Sequence, residues 1–147
     1  MNPTNIAIGT DHRGHALKAK IIAHLAAKSN FLIMDLGPHS EESVDYPDYA
    51  HPVAAAVDNG DAKMGIVICG TGNGVAMVVN KHQNIRCGVC WSNEVATLIR
   101  QHNDANIVAI PSNYVDEKLA LQMVDTFLTT EFEGGRHARR VGKICAC

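Results

Sequence analysis

The sequence predicts an α/β fold, a Rossmann-like three-layer sandwich built on a five-stranded parallel sheet. Two observations carry that expectation. Short runs rich in Ile and Val, apolar almost throughout, alternate five times with longer segments of helical periodicity. Strands covered on both faces read as continuous apolar runs, and strand–helix alternation of this kind closes into a parallel sheet through right-handed crossovers. The 147 residues match one domain with a real core, so 1–147 is expected to fold as a single unit.

The first strand is expected over Asn5–Gly9. The helix after it, HALKAKIIAHLAAK, carries Leu17, Ile21 and Leu25 at i, i+4 and i+8, with its lysines on the other faces. Phe31–Asp35 follows as the second strand, and Pro47 suits the entry of a helix over Tyr49–Asn59, with Gly60 at its exit. The remaining strands are Met64–Cys69, Ile85–Cys90 and Asn106–Ile110, each followed by a helix: Asn73–Lys81, Asn93–His102 and Asp116–Thr129. A closing basic segment, GGRHARRVGKI, makes a short terminal helix. No long linker, internal repeat or low-complexity tract interrupts the pattern.

The net charge of −2 with neutral His, and the absence of a long Lys/Arg block, leave no basic face for nucleic acid. A single phosphate group needs only two or three cations and is not excluded. The start, MNPTNIAIGTDHRG, has no charged leader followed by an apolar stretch, and no run reaches the ~18–20 apolar residues of a membrane helix. A cytoplasmic protein is expected. Five cysteines without a secretory signal argue for reduced thiols. Cys87 and Cys90 form a C-x-x-C, but within the buried strand IRCGVCW they face opposite sides and could not easily grip one ion. No second C-x-x-C completes a zinc site. They read as small buried hydrophobes; Cys145 and Cys147 are assigned nothing.

Parallel sheets of this type bind ligands beyond the carboxyl ends of their strands. Thr10-Asp11-His12-Arg13-Gly14 follows the first strand, LGPHSEESVDYPDYAHP the second, and Cys69-Gly70-Thr71-Gly72-Asn73-Gly74 the third. Arg100-Gln101-His102-Asn103-Asp104 follows the fourth helix and is expected near the same edge. In CGTGNG, three glycines in five residues let the backbone turn tightly and aim several N–H groups at one point. The spacing is neither G-x-G-x-x-G nor that of a P-loop. An oxyanion hole is the other use, and Cys69 at its edge fits it, because such N–H groups favour a thiolate. The plainer alternative is a tight turn beside an inert Cys.

His102 ends a helix where an imidazole can exchange protons near neutrality, or is an ordinary surface residue. Arg136 and Arg140 share a helix face at i, i+4 and could clamp one phosphate, or could belong to a solvated basic tail. Asp11 and His12 could equally be a helix cap and its neighbour.

Taken together, IAIGTDHRG, ESVDYPDYA, ICGTGNGVAMVVNK, RQHNDANIVAI and EGGRHARRV, in order along nearly the whole chain, resemble the type B ribose-5-phosphate isomerases, a family that includes the galactose-6-phosphate isomerases. The resemblance implies the same α/β sandwich and the reversible conversion of ribose 5-phosphate into ribulose 5-phosphate through an enediolate. It implies Cys69 as the base, since the alternative glutamate position just after the glycine loop holds Val75. Thr71 and the N–H groups of Gly70, Gly72, Asn73 and Gly74 would stabilise the enediolate oxygen. His102 would assist ring opening. Asp11, Tyr46 and Asn103 would hold sugar hydroxyls, and His12, Arg136 and Arg140 the phosphate, with His137 as a further candidate. No metal or organic cofactor is implied. The family builds its sites at a dimer interface, so a homodimer or homotetramer is expected. Many relatives have an arginine where this chain has Asn113, a departure that bears on phosphate affinity or sugar preference. The competing readings are an isomerase of a six-carbon sugar phosphate, such as allose or galactose 6-phosphate, and a non-catalytic phosphosugar-binding module. A pure binder has no need of Cys69, Thr71 and His102 together.

Overall fold

The computed structural model describes residues 2–144; Cys145 and Cys147 lie outside them. Five strands, β1 (Thr4–Thr10), β2 (Phe31–Asp35), β3 (Met64–Cys69), β4 (Cys87–Val89) and β5 (Ile107–Pro111), form one parallel sheet in the order β2-β1-β3-β5-β4. The helices are α1 (His15–Ala26), α2 (Pro47–Asp58), α3 (Asn73–Val79), α4 (Asn93–Gln101), α5 (Glu117–Thr129) and α6 (Arg136–Gly142). Helix α1 packs with α5, and α5 with α4, on one face; α2 and α3 pack together on the other. The three layers are those the alternation predicts. Among the described residues no helix is long and apolar enough to cross a membrane.

Side chains of successive strand residues point to opposite faces, and β3 shows it: Met64, Ile66 and Ile68 belong to the core under α1, α4 and α5, whereas Val67 and Cys69 belong to the core under α2 and α3. The second face is built of small residues. A methyl group added at Gly9 would lie 2.4 Å from Tyr49 O, and one at Gly65 would lie 2.8 Å from a Val53 methyl, so α2 rides directly on the backbone of β1 and β3.

Three expectations need correction. The fourth strand spans three residues, not Ile85–Cys90, and it lies at the sheet edge with all three half-buried. Its outer backbone is capped by the Asn80 side chain, which accepts from Cys87 N at 2.8 Å and donates to Cys87 O at 3.0 Å where a further strand would pair. Strand β2 is likewise an edge and is not covered on both faces: Leu32 is exposed. Within α1, Lys18 does not point to solvent. It is 3% exposed, with Nζ 2.6 Å from Asp35 Oδ1 and 2.8 Å from Pro38 O. The Cys87–Cys90 disposition agrees with the sequence reading, because Cys90 lies in the core under α4 and α5 and Cys87 packs against the other core.

Candidate active site

Hydrogen bonds draw four loops together at the carboxyl edge of the sheet. Thr10 Oγ1 and Asp11 N both donate to Ile68 O at 3.1 Å, Thr10 N donates to Gly37 O, Ser112 N to Cys69 O, and Asn113 N to Gly70 O. The loops after β1, β2, β3 and β5 therefore surround the end of β3.

Cys69 is the last residue of β3 and is 6% exposed. Gly72 adopts φ +74°, a region that favours glycine, and this turns its N–H back toward Cys69 Sγ at 3.2 Å. Thr71 is exposed, and its Oγ1 accepts from Asn73 N at 3.2 Å, leaving the hydroxyl proton to be donated elsewhere. Tyr46 caps the start of α2 and lies against Gly74, where an added methyl group would come within 2.5 Å of its ring. Asp11 Oδ1 accepts from Arg13 N at 2.9 Å and Gly14 N at 3.1 Å, so the capping arrangement is present; Oδ2 is engaged by neither. His12 Nδ1 accepts from Val44 N at 3.3 Å, which leaves Nε2 as the ring's donor. Two side chains outside the expected set of contacts flank Gly70: a methyl group there would lie 2.7 Å from Asn113 Nδ2 and 3.3 Å from Arg13 Cδ.

The other expected residues gather elsewhere. His102 caps the carboxyl end of α4, shortly before β5 begins at Ile107. Since Gly65 pairs with Ile107 and Cys69 with Pro111, the parallel register puts His102 at the amino edge, opposite Cys69. The expectation that both lie at one edge is corrected: a segment that leaves a helix and enters a parallel strand lies at that strand's start. The five rises of ~3.3 Å from the first to the last residue of β3 separate the two edges by roughly 17 Å.

At the amino edge, Arg100 Nε donates to Thr130 O and Glu133 N donates to Gln101 O. These bonds dock the segment before α6 on the end of α4, and the His137 ring stacks on His102 with centroids 4.2 Å apart and planes 13° from parallel. Burial lowers the His137 pKa from its ordinary value, with His102 and Arg136 adding to the effect and Glu133 opposing it. His102, Asn103, His137 and Arg140 line a cavity of about 340 Å³, while Arg136, exposed at the first position of α6, does not line it. A larger cavity of about 590 Å³ beside Arg86, Cys87 and Asn103 touches no residue of the glycine turn.

Among the described residues, His102, Glu133 and His137 are the group whose ligand atoms lie close enough for a metal, within 4.8 Å of one another. The near-parallel rings direct their in-plane lone pairs side by side rather than toward one point, which does not suit a shared ion.

Comparison with known proteins bears on what this arrangement does. A family profile described as Ribose/Galactose Isomerase matches residues 6–144. The ribose-5-phosphate isomerase B of Escherichia coli is 46% identical over 141 residues, covering 96% of this chain and 94% of that protein. The structure of Clostridium thermocellum ribose-5-phosphate isomerase B is similar at a TM-score of 0.93 and 49% identity, over 97% of this chain and 96% of that one. That of the Mycoplasma genitalium ribose-5-phosphate isomerase B with bound ribulose-5-phosphate is similar at a TM-score of 0.93 and 42% identity, over 99% of this chain and 97% of that one.

Proposed function

The chain belongs to the ribose/galactose isomerase family, and from that premise we propose that it interconverts ribose 5-phosphate and ribulose 5-phosphate at the Cys69 turn. The observation that carries this reading is the 3.2 Å hydrogen bond from Gly72 N–H to Cys69 Sγ. It holds a candidate base on the same turn whose Thr71 hydroxyl and Gly70 and Gly74 N–H groups face an oxyanion, with the Asn73 N–H holding Thr71 Oγ1 so that its hydroxyl proton is turned outward.

The thiolate of Cys69 takes the proton from C2 of the open-chain aldose. The C–H electron pair becomes the C1–C2 double bond of the enediolate, and the C1 oxygen takes the charge, met by Thr71 and the turn. The same proton returns to C1, while the proton of the C2 hydroxyl passes to the C1 oxygen, leaving the ketone at C2. Hydrogen moves only within the sugar, so the conversion balances without an oxidant or reductant. Asp11, through Oδ2, and Tyr46 hold sugar hydroxyls, and His12 donates to the phosphate.

His102, Asn103, His137, Arg136 and Arg140 cannot reach Cys69 of their own chain, given the separation of the two sheet edges. In a symmetric dimer whose carboxyl edge faces its partner's amino edge, His102 of one copy opens the sugar ring and Arg136 and Arg140 hold the phosphate over the Cys69 turn of the other. The exposure of Met77, Trp91 and Tyr114, on α3 and on the loops after β4 and β5, supports a buried contact there.

The test is turnover of ribose 5-phosphate by the purified protein, with and without a chelator, with six-carbon phosphates as comparison substrates. Chelator-resistant formation of ribulose 5-phosphate is expected, and turnover of only a six-carbon phosphate would reassign the substrate. General-base catalysis is worth about 10²–10⁴-fold, so Cys69→Ala is expected to lower kcat by at least about a hundredfold with an unchanged circular dichroism spectrum. A variant that kept a tenth of the rate or more would remove Cys69 as the base.

A further inference from the structure

We propose that Arg13 is a phosphate-binding residue of this site, the fixed cation that the Cys69 side of the pocket supplies to the substrate's phosphomonoester. The inference rests on the isomerase reading above and adds a residue to it. Three observations support it. The loops leaving the carboxyl ends of the strands span 11–14, 36–46, 70–72, 90–92 and 112–116, and Arg13 is the sole Lys or Arg in them. The other lysine at this edge, Lys18 of α1, is buried and paired with Asp35, so an anionic substrate meets no other unpaired permanent positive charge in these loops.

Its placement is fixed by the backbone. Asp11 Oδ1 holds the N–H groups of Arg13 and Gly14, and Gly14 is pressed so closely on Thr10 and Ile68 that a methyl group there would lie 2.1 Å from Thr10 Oγ1 and 2.5 Å from Ile68 Cγ2. The Arg13 stem consequently crosses Gly70, next to the neutral amide of Asn113 and one residue from Cys69.

The guanidinium is also uncommitted. Arg86 and Arg100 both pair with Asp104, at 3.2 and 2.9 Å, whereas Arg13 is exposed and makes no ion pair among the described residues. A planar fork of donors free at the rim of a site suits a phosphate, which it can bind through two parallel hydrogen bonds. The charge developing on the enediolate is already met by the turn's N–H groups and Thr71, so Arg13 is assigned to binding and not to the proton transfer.

Arg13→Ala and Arg13→Lys separate these roles. Neither disturbs the Asp11 cap, which engages only the backbone of residue 13. The KM for ribose 5-phosphate in Arg13→Ala is expected to rise about tenfold or more, as for loss of a charge-assisted hydrogen bond, with kcat within about threefold of wild type. The inhibition constant for inorganic phosphate is expected to rise in parallel, and Arg13→Lys to recover part of both. Unchanged KM and phosphate inhibition, or a fall in kcat at constant KM, would overturn the assignment. If the wild-type protein turns over no ribose 5-phosphate, the isomerase reading fails, and calorimetric titration with inorganic phosphate decides the inference separately. Weaker binding by Arg13→Ala than by wild type would sustain it, and equal binding would end it.

Discussion

At the scale of single residues, one side-chain type takes two fates. Cys69 ends a strand, and its sulfur accepts the N–H of Gly72. Cys87, in the edge strand β4, and Cys90, just after it, pack into opposite cores, and burial pushes the Cys90 thiol up to about 12 and the Cys87 thiol upward as well, with Cys90 adding to the second effect. Neither forms thiolate near neutrality, and thiolate is the species that alkylates or binds metal. Brief iodoacetamide treatment of the native protein at pH 8, followed by peptide mapping, is expected to leave both unmodified, with full labelling in denaturant; rapid native labelling of Cys90 would contradict the assignment. The opposite-face placement of this pair was legible from strand alternation alone. The place of Arg13 was not, because a loop residue's neighbours are set by which loops meet, and Gly70 lies 57 positions away.

At the scale of elements, the loop after β2 is anchored by α1. Lys18 is buried and holds Asp35 Oδ1 and Pro38 O, and Gly37 N donates to the same carboxylate oxygen at 3.0 Å. Burial pushes the Asp35 pKa up, but the hydrogen bonds from Lys18 and Gly37 outweigh it and the net shift is downward from 3.8. A carboxyl whose folded pKa lies below its unfolded value contributes stability above the unfolded value, and that contribution is lost as pH falls from about 4 through the folded pKa. Asp35→Asn keeps an oxygen acceptor for Lys18 but removes the negative charge opposite a buried ammonium. It is expected to cost about 2 kcal/mol in chemical denaturation near pH 7, with the difference from wild type shrinking below pH 4. Equal stability at pH 7 would show that the pair contributes nothing. Helical spacing correctly placed Ile21 and Leu25 in the core but sent Lys18 to solvent, since periodicity counts polar residues as outward and registers no partner on another element.

At the scale of the whole molecule, the two groups of candidate residues stand at opposite edges of one sheet, and the proposed site needs two copies. Mixing Cys69→Ala with His102→Ala, each expected to be strongly impaired alone, tests this directly. Half of the dimers formed at random are mixed, and in each of these one of two sites carries neither substitution, so about a quarter of wild-type activity is expected to return. No recovery after denaturation and joint refolding, with dimers present, would confine each site to a single chain.

The sequence by itself determined the layered α/β architecture, the strand count and the glycine turn beside Cys69, because periodicity, β-branched runs and closely spaced glycines are local signals. Tertiary structure alone decided which edge His102 occupies, that Lys18 is buried against Asp35, and that Arg13 crosses Gly70. Each depends on strand order and direction, which bring together residues distant along the chain and separate residues that look alike in it.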